Sequence, residues 1–440
     1  MMRMVSKSLA LSAAWLLVSC SSGSSPGTGT DAAVSEVTSA PPAALRSSKA
    51  RSLNPAVDSA DSLQLETDNL AFGLDLYGQL RPINAGNFLF SETSIALALA
   101  MLYGGAANNT AAQIAAAAHF SLPPERLHPA FDALDLALAA PPAGSNPDAF
   151  RLTVANSTWV QQGFSYLPSY LDLLAENYGA GLFVENFAQA PETARVDINR
   201  WVSDQTQQMI PQLFDPGAIG TNVRLVLADA VYFHGNWGTP FDPSSPNAIF
   251  HAPAGDVSVP TMQSLKEDNA LLWEGAGFQA AALFYSGGTT SMILVVPDAG
   301  TFNTFELGLT AANLAGVLTP STPGTSGAVT MPKFKFATSS PLNDVLRALG
   351  MVDAFDAGAD FSAIDGQHDL HVGEVIHKAI IAVDESGTTA AAATGVTVVT
   401  LALAEKPTNV LVVDRPFLFF IRHDPTGAIL FQGRVVDPSK

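Results

Sequence analysis

Glu374-Val375-Ile376-His377-Lys378-Ala379 opens a stretch whose continuation, Asp384-Glu385-Ser386-Gly387-Thr388-Thr389-Ala390-Ala391-Ala392-Ala393-Thr394-Gly395, decides which folds can hold the chain. The first part belongs to a near-continuous apolar run, 375–383, the mark of a strand covered on both faces. The second part is built almost wholly of small, uncharged side chains. Side chains alternate faces along a strand, so Thr388, Ala390, Ala392 and Thr394 form one set. A charged member of that set would meet a heavy desolvation cost in a protein interior, and none is charged. Gly387 gives the turn freedom in φ. No proline interrupts 385–405, so a central strand can form there without losing a ladder donor. An alanine-rich surface loop or helix is equally compatible with this segment on its own, since alanine favours helix.

On the N-terminal side, Leu70, Phe72, Leu74, Leu76, Tyr77 and Leu80 recur at helical spacing. Ser91 is placed to cap a second helix that carries Ile95, Leu99 and Leu102 and is closed by Gly104-Gly105. Helices are expected over 111–119, 130–138, 166–178 and 193–209, and a strand over 151–161. After Arg224 strands dominate, over 225–233, 291–296, 329–336, 375–383, 410–413, 417–421 and 429–436. One further helix, 341–349, is stopped by Gly350. Helices first and strands later predict an α+β fold rather than strict βαβ alternation. No internal repeat or linker interrupts the chain after residue 68, which predicts one large domain.

In this order the segments resemble the serpin family. The stretch 374–395 is similar to the family's passage from a central strand into its reactive loop. Arg415-Pro416-Phe417-Leu418-Phe419-Phe420-Ile421-Arg422 and Leu430-Phe431-Gln432-Gly433-Arg434-Val435 resemble its closing strand pair. Asn87-Phe88 with Ser91 and Ser94-Ile95 resembles the N-terminal signature, and Ala230-Val231-Tyr232-Phe233-His234-Gly235-Asn236-Trp237 with Pro240-Phe241 the central strand and its exit. Met331-Pro332-Lys333-Phe334 and Ala359-Asp360-Phe361-Ser362 fit as well. The resemblance covers about 68–438; each piece is weak alone, and their order and spacing make the set specific. It implies the serpin fold: an N-terminal helical part and large mixed and antiparallel β-sheets with an exposed reactive loop. It also implies an inhibitor that acts by being cut. The protease forms an acyl-enzyme on the loop, whose N-terminal part then enters the central sheet as a new strand, a form of strand addition. The uncut fold must hold strain in reserve.

Carried over residue by residue, the resemblance implies a loop hinge of Glu385, Gly387, Thr388, Ala390, Ala391, Ala392, Ala393 and Thr394. It places the scissile bond at Leu401-Ala402, with Thr400 and Leu403 as open alternatives, because the stretch before Arg415 is longer than in common relatives. No Lys or Arg occurs in 388–403, and Lys406 precedes Pro407. A trypsin-like target is therefore disfavoured, and an enzyme with an apolar slot is expected, chymotrypsin-like, elastase-like or subtilisin-like. The implied partner is a serine protease, with a cysteine protease as the open alternative. Trp237, Lys333 and Glu385 match a latch at the top of the central sheet. Ser91, Ser94 and His377 match a hydrogen-bond cluster behind the point where the sheet opens. The chain departs from the family there: Asp229 stands where asparagine is usual, Glu92 where proline is common, and His234 where lysine is common. Asp229 beside His377 predicts a charged pair, since a carboxylate favours protonated histidine, and with it a pH-sensitive sheet. The alternative function is a non-inhibitory binding or structural lipoprotein on the same fold. Such a relative would tolerate bulky, charged or proline substitutions in the hinge, and this hinge has none.

Hydrophobic residues make up 48% of the 440 and charged residues 14%, ample for a large core and contrary to global disorder. Forty acidic against 21 basic residues give a net charge of −19, which repels phosphate backbones, so no nucleic-acid partner is expected. With one cysteine, Cys20, neither an intramolecular disulfide nor a thiol nucleophile exists in the body of the protein. Ser91 or Ser94 with His377 and Asp229 makes the best pseudo-triad, yet the resemblance buries it and no oxyanion donor or cleft accompanies it, so no enzyme is expected. His368, His371 and His377 lack the spacing and carboxylate of a known metal site; no metal or cofactor is expected. Gly23-Ser24-Ser25-Pro26-Gly27 matches G-x-S-x-G only formally, without the strand-to-helix turn the motif needs.

Arg3 and Lys7 precede the apolar run 9–18, as in a secretory signal, and the run is short for a membrane span. Its end, Leu17-Val18-Ser19-Cys20, resembles a bacterial lipoprotein processing site; an ordinary signal peptide with an incidental cysteine is the alternative. The resemblance implies a signal peptide over 1–19 and acyl chains on Cys20 that anchor the chain to a membrane. A flexible Ser/Gly/Pro-rich linker is then expected over 20–60, and a serpin domain over 61–440. Ser21 after the cysteine implies outer-membrane sorting in a two-membrane bacterium. The expected protein is exported, lipid-anchored to the cell envelope or extracellular, and monomeric.

Overall fold

The computed structural model describes residues 44–141, 149–264, 266–320, 324–388 and 407–440. Helix α1 (Ser59–Leu80) is capped by Asp58, whose carboxylate accepts the Asp61 N–H at 2.9 Å. Helix α2 (Glu92–Tyr103) starts where Ser91 predicts, its side chain accepting the Ser94 N–H at 3.2 Å. Residues 92–102 are all buried, as befits a helix apolar nearly all round. Then come α3 (Asn108–Ala117), α4 (Pro124–Ala139), α5 (Pro168–Tyr178) and α6 (Pro191–Gln205). The last three start on proline, whose missing N–H is no loss in a first turn. Helix α4 also runs through Pro129, which is why the sequence places its start too late. The shorter helices are α7 (Phe302–Leu307), α8 (Ala311–Leu318), α9 (Asn343–Ala348) and α10 (Ser362–Asp365). No helix among the described residues is long and apolar enough to cross a membrane.

The strands, in chain order, are β1 (Ala44–Leu45), β2 (Phe88–Phe90), β3 (Phe150–Gln161), β4 (Leu182–Glu185), β5 (Leu225–Asn236), β6 (Asn247–Ala252), β7 (Gly255–Gln263), β8 (Ala270–Gly275) and β9 (Phe278–Phe284). They continue with β10 (Thr290–Pro297), β11 (Thr325–Pro332), β12 (Phe334–Pro341), β13 (Val372–Val383), β14 (Gly387–Thr388), β15 (Val410–Val412), β16 (Phe417–His423) and β17 (Ile429–Val435). A seven-stranded central sheet has the order β1-β4-β3-β5-β14-β13-β12. A ten-stranded sheet runs β2-β17-β16-β10-β9-β8-β11-β7-β6, with β15 alongside β11. The run 329–336, expected as one strand, is broken at Lys333: β11 belongs to the second sheet and β12 to the central one.

Both faces of the central sheet are covered, which explains the near-continuous apolar run of β5. One face carries α6, with Trp159 stacked on Phe183 (4.5 Å between centroids) and Trp201 edge-on to both. The other packs on α2 and the strands of the second sheet, in a core that includes Ile95, Leu99, Leu227, Val231 and Phe431.

Residues 44–58, which composition assigns to a tether ending at 60, are packed instead. β1 pairs antiparallel with β4 at the sheet edge. The Arg51 guanidinium reaches the buried Asp132 carboxylate and that of Asp135, each at 2.7 Å. Lys49 pairs with Glu176 at 2.9 Å, and the Ser52 N–H donates to the Glu176 carbonyl at 2.9 Å. These contacts are ionic and backbone-mediated, so they leave no hydrophobic period to read.

Candidate functional site

Strands β5 and β13 run parallel, paired from Leu225↔Val372 to Val231↔Ala379. Beyond that rung they are held apart by the chain that follows β13. The Asp384 carboxylate accepts the N–H groups of Ser386 (2.8 Å) and Gly387 (3.2 Å), turning the chain back. Gly387 and Thr388 then sit between the two strands, antiparallel to both: Thr388 opposes Val383 on one side and Gly235 on the other, and Gly387 opposes Asn236. A Cβ on Gly387 would lie within 2.1 Å of the Gly235 carbonyl oxygen. The glycine is therefore demanded by close approach of backbones, a different reason from the φ freedom read in the sequence. Thr388 is 1% exposed, and its hydroxyl meets the Tyr285 hydroxyl at 2.7 Å. Tyr285 in turn stacks on Trp237 at 4.6 Å.

The residues grouped as a latch come together above this wedge. Lys333 Nζ lies 2.9 Å from Glu385 Oε1. The Trp237 indole N–H donates to the Asp384 carbonyl at 2.8 Å, and its backbone N–H to the Ser386 carbonyl at 2.9 Å. The Phe241 N–H donates to the Glu385 carbonyl at 3.0 Å. Lys333 can reach this point because it is the residue at which the chain crosses between sheets.

The serine–histidine cluster lies where the β5–β13 pairing is closed. Asp229 and His377 are opposed in that ladder, buried, with Oδ1 and Nδ1 3.2 Å apart. The Ser94 hydroxyl donates to the same Asp229 oxygen at 2.6 Å. Asn156, opposite Asp229 on β3, donates its amide to the Ser94 carbonyl at 2.9 Å. The Ser91 backbone N–H donates to His377 Nε2 at 3.1 Å. A nitrogen that accepts an N–H carries no proton of its own. Nε2 is therefore the acceptor that ties the His377 ring to the start of α2. Ser91, Ser94, His377 and Asp229 are neighbours, but in the wrong order for catalysis: the serine hydroxyl is spent on the carboxylate and the imidazole on a backbone N–H.

Of the other expected residues, Ala390, Ala391, Ala392, Ala393, Thr394, Thr400, Leu401, Ala402, Leu403 and Cys20 lie outside the described residues. His368 pairs with Asp360 at 3.2 Å on the surface, away from the histidine in the core. Tyr285 and Asn156 carry no signal in the sequence: Tyr285 follows the end of β9 and Asn156 sits among Thr153, Ser157 and Thr158 on β3, so only their partners reveal them.

A family model described as serpin (serine protease inhibitor) matches residues 67–438. The chain is 36% identical over 370 residues to a serpin-like protein of Thermococcus kodakarensis, covering 84% of each chain. It is 35% identical to the leukocyte elastase inhibitor of Equus caballus, covering 85% of this chain and all of that one. The structure of uncleaved ovalbumin superposes with a TM-score of 0.76 at 26% identity, over 85% of this chain and all of that one. With helices and two large sheets in this arrangement, and a matching model over most of its length, the chain belongs to the serpin family.

Proposed function

We propose that the protein inhibits serine proteases as a suicide substrate, trapping the acyl-enzyme by drawing its cleaved loop into the central sheet between β5 and β13. The supporting observation is the position of Gly387 and Thr388, already seated at the top of that gap with a closed parallel ladder beneath them. The segment that follows them in sequence is small, uncharged and free of proline, so it can continue the strand downward. Each added residue gains ladder bonds on two sides, in place of a single parallel pairing that is the weaker kind. The protein itself catalyses nothing; the protease supplies the nucleophile and remains attached when the strand enters.

The proposed target has an apolar specificity pocket, of chymotrypsin-like, elastase-like or subtilisin-like kind, with the bond at Leu401-Ala402. The proposed setting is the cell envelope, through a signal peptide over 1–19 and lipid on Cys20. Mixing the chain from Pro41 onward, which keeps the packed segment before α1, with chymotrypsin, pancreatic elastase and subtilisin tests the mechanism. A band at the summed mass that survives denaturation, with a small C-terminal peptide released, is expected. Complete cleavage near Leu401 with no such band for any of the three overturns the trapping reading.

A further inference from the structure

The chain is tied down where it re-enters the fold after the proposed bait segment. Three donors converge there on one carboxylate oxygen. Glu267 Oε1 accepts the Thr408 hydroxyl at 2.6 Å, the Thr408 N–H, and the Asn409 N–H at 3.4 Å. The Thr408 hydroxyl, with these N–H groups, holds the Glu267 carboxyl below its usual range. Asn409 adds two contacts to β11: its side-chain amide donates to the Ser326 carbonyl at 2.8 Å, and its own carbonyl accepts the Ala328 N–H at 2.9 Å. Strand β15 follows at once and pairs with β11 over three rungs, from Ala328↔Val410 to Thr330↔Val412. Glu267 sits at the latch end of the molecule, since the nearby Asn269 donates to the Thr239 carbonyl at 2.8 Å, just past Trp237.

Chain length gives this tie its meaning. Thr388 opposes Gly235 on β5 and Val383 on β13. Continued in that register, the strand proposed above places Ala392 opposite both Val231 and Ala379, the first closed rung. It places Val398 opposite Leu225, where β5 begins. The step from Thr388 to Val398 covers about 33 Å at the rise of a strand. The return from Val398 to Thr408 has the same number of residues, and reaches at most about 33–36 Å fully stretched. Nothing is left for a turn at the bottom of the sheet or for the sideways step to β11. An uncut loop held at both ends therefore cannot fill the gap. A loop cut after Leu401 can, because all of 388–398 lies on the near side of that bond.

We propose that Glu267 is a positioning residue that clasps the far end of the loop and so limits how far an uncut molecule can fill its own sheet. This rests on the insertion reading given under the proposed function and names what restrains it. With the clasp intact, an uncut loop stops part-way. With the clasp broken, Thr408, Asn409 and the short β15 can peel from β11 and supply the missing length. A cut loop needs none of that length, so the clasp should not affect trapping. This separates Glu267 from residues of the β5–β13 ladder, which resist both events.

Hydrogen exchange of the full chain, read by mass spectrometry on peptides covering 408–413, tests the hold directly. Glu267→Ala should exchange there about tenfold faster than the unmodified protein. Glu267→Gln, whose amide oxygen can still accept, should fall between the two. Glu267 is exposed, so neither change disturbs the core. On warming, conversion of the uncut chain to a heat-stable form should also be about tenfold faster in Glu267→Ala, while denaturation-resistant complexes with chymotrypsin form at a rate within about twofold of the unmodified protein. Unchanged exchange at 408–413, unchanged conversion, or trapping accelerated as much as conversion would each overturn the proposal. An unmodified chain that traps no protease would count against the insertion reading instead, and the exchange result would still decide whether Glu267 holds the loop.

Discussion

Asp229 and His377 face each other across the parallel β5–β13 ladder, 3.2 Å apart and buried, at a rung that must break if a strand is to enter between them. His377 also ties that rung to α2, because its Nε2 accepts the Ser91 N–H. Ser340 on β12 and Ser94 on α2 flank the rung.

A side chain that cannot accept the Ser91 N–H leaves it unpaired in the closed sheet, at a cost of about 1–3 kcal/mol. Spontaneous conversion to a heat-stable, loop-inserted form is expected to run about tenfold faster in His377→Leu than in the unmodified protein. His377→Gln, whose amide oxygen can accept that N–H, should restore most of the slow rate. Equal rates for His377→Leu and the unmodified protein would refute the argument.

Thr388→Arg places a guanidinium at a position now 1% exposed, against Tyr285. A buried charge without a partner carries a penalty of several kcal/mol. Loop insertion should stall at its first step. Denaturation-resistant complexes with the target protease should vanish while cleavage of the loop continues, as gels of the reaction would show.

The Lys333–Glu385 pair is only partly buried, so its worth is at most about 1 kcal/mol. Lys333→Ala should speed spontaneous insertion by roughly two- to fivefold, and raised salt should narrow the difference. Rates measured at low and high ionic strength check both parts.

Arg51→Ala removes the cation beside Asp132, whose side chain is inaccessible to solvent. Burial already raises the Asp132 carboxyl against the pull of Arg51. The loss of stability should be about 2–4 kcal/mol, with faster proteolysis before Ser59. A chain whose urea midpoint is unmoved by the change would mean that residues 44–58 pack without contributing.

His128 is held neutral by burial, its pKa lowered to about 4, and its Nδ1 lies 2.6 Å from the Tyr178 hydroxyl. An unfolded histidine binds its proton near pH 6.5. The unfolded state therefore gains protons first as pH falls, and stability is lost between about pH 6.5 and 4, by up to roughly 3 kcal/mol. Urea denaturation at pH 7 and pH 4.5 should show this loss, and His128→Gln should reduce it.

How much of this is legible without coordinates varies with the kind of contact. Strands β5 and β13 are plain in the sequence because each is a near-continuous apolar run, interrupted on β5 by Asp229 and on β13 by His377 and Lys378. Helix α2 is equally plain from its cap and glycine stop. Strand β9 is hidden, since Ala280, Ala281 and Ala282 favour helix and are strand only because β8 and β10 flank them. Strands β6 and β7 are half exposed and carry a broken pattern. Lys333 and Glu385 lie 52 positions apart, and family resemblance, not spacing, pairs them. The tie between His377 and α2 is beyond any one-dimensional reading, because a backbone N–H makes it.

The wedge of Gly387 and Thr388 over a closed ladder works like the slider of a zip fastener already threaded at one end. Travel has one direction, and the first closed teeth, Val231 with Ala379 and then Asp229 with His377, set the resistance. If the cleaved loop inserts as proposed, the same resistance governs two clocks: how long an uncut molecule keeps its readiness, and how soon a cut one can seize its attacker. Any change that loosens those teeth would then shorten both times together, so a faster trap would also be a shorter-lived one.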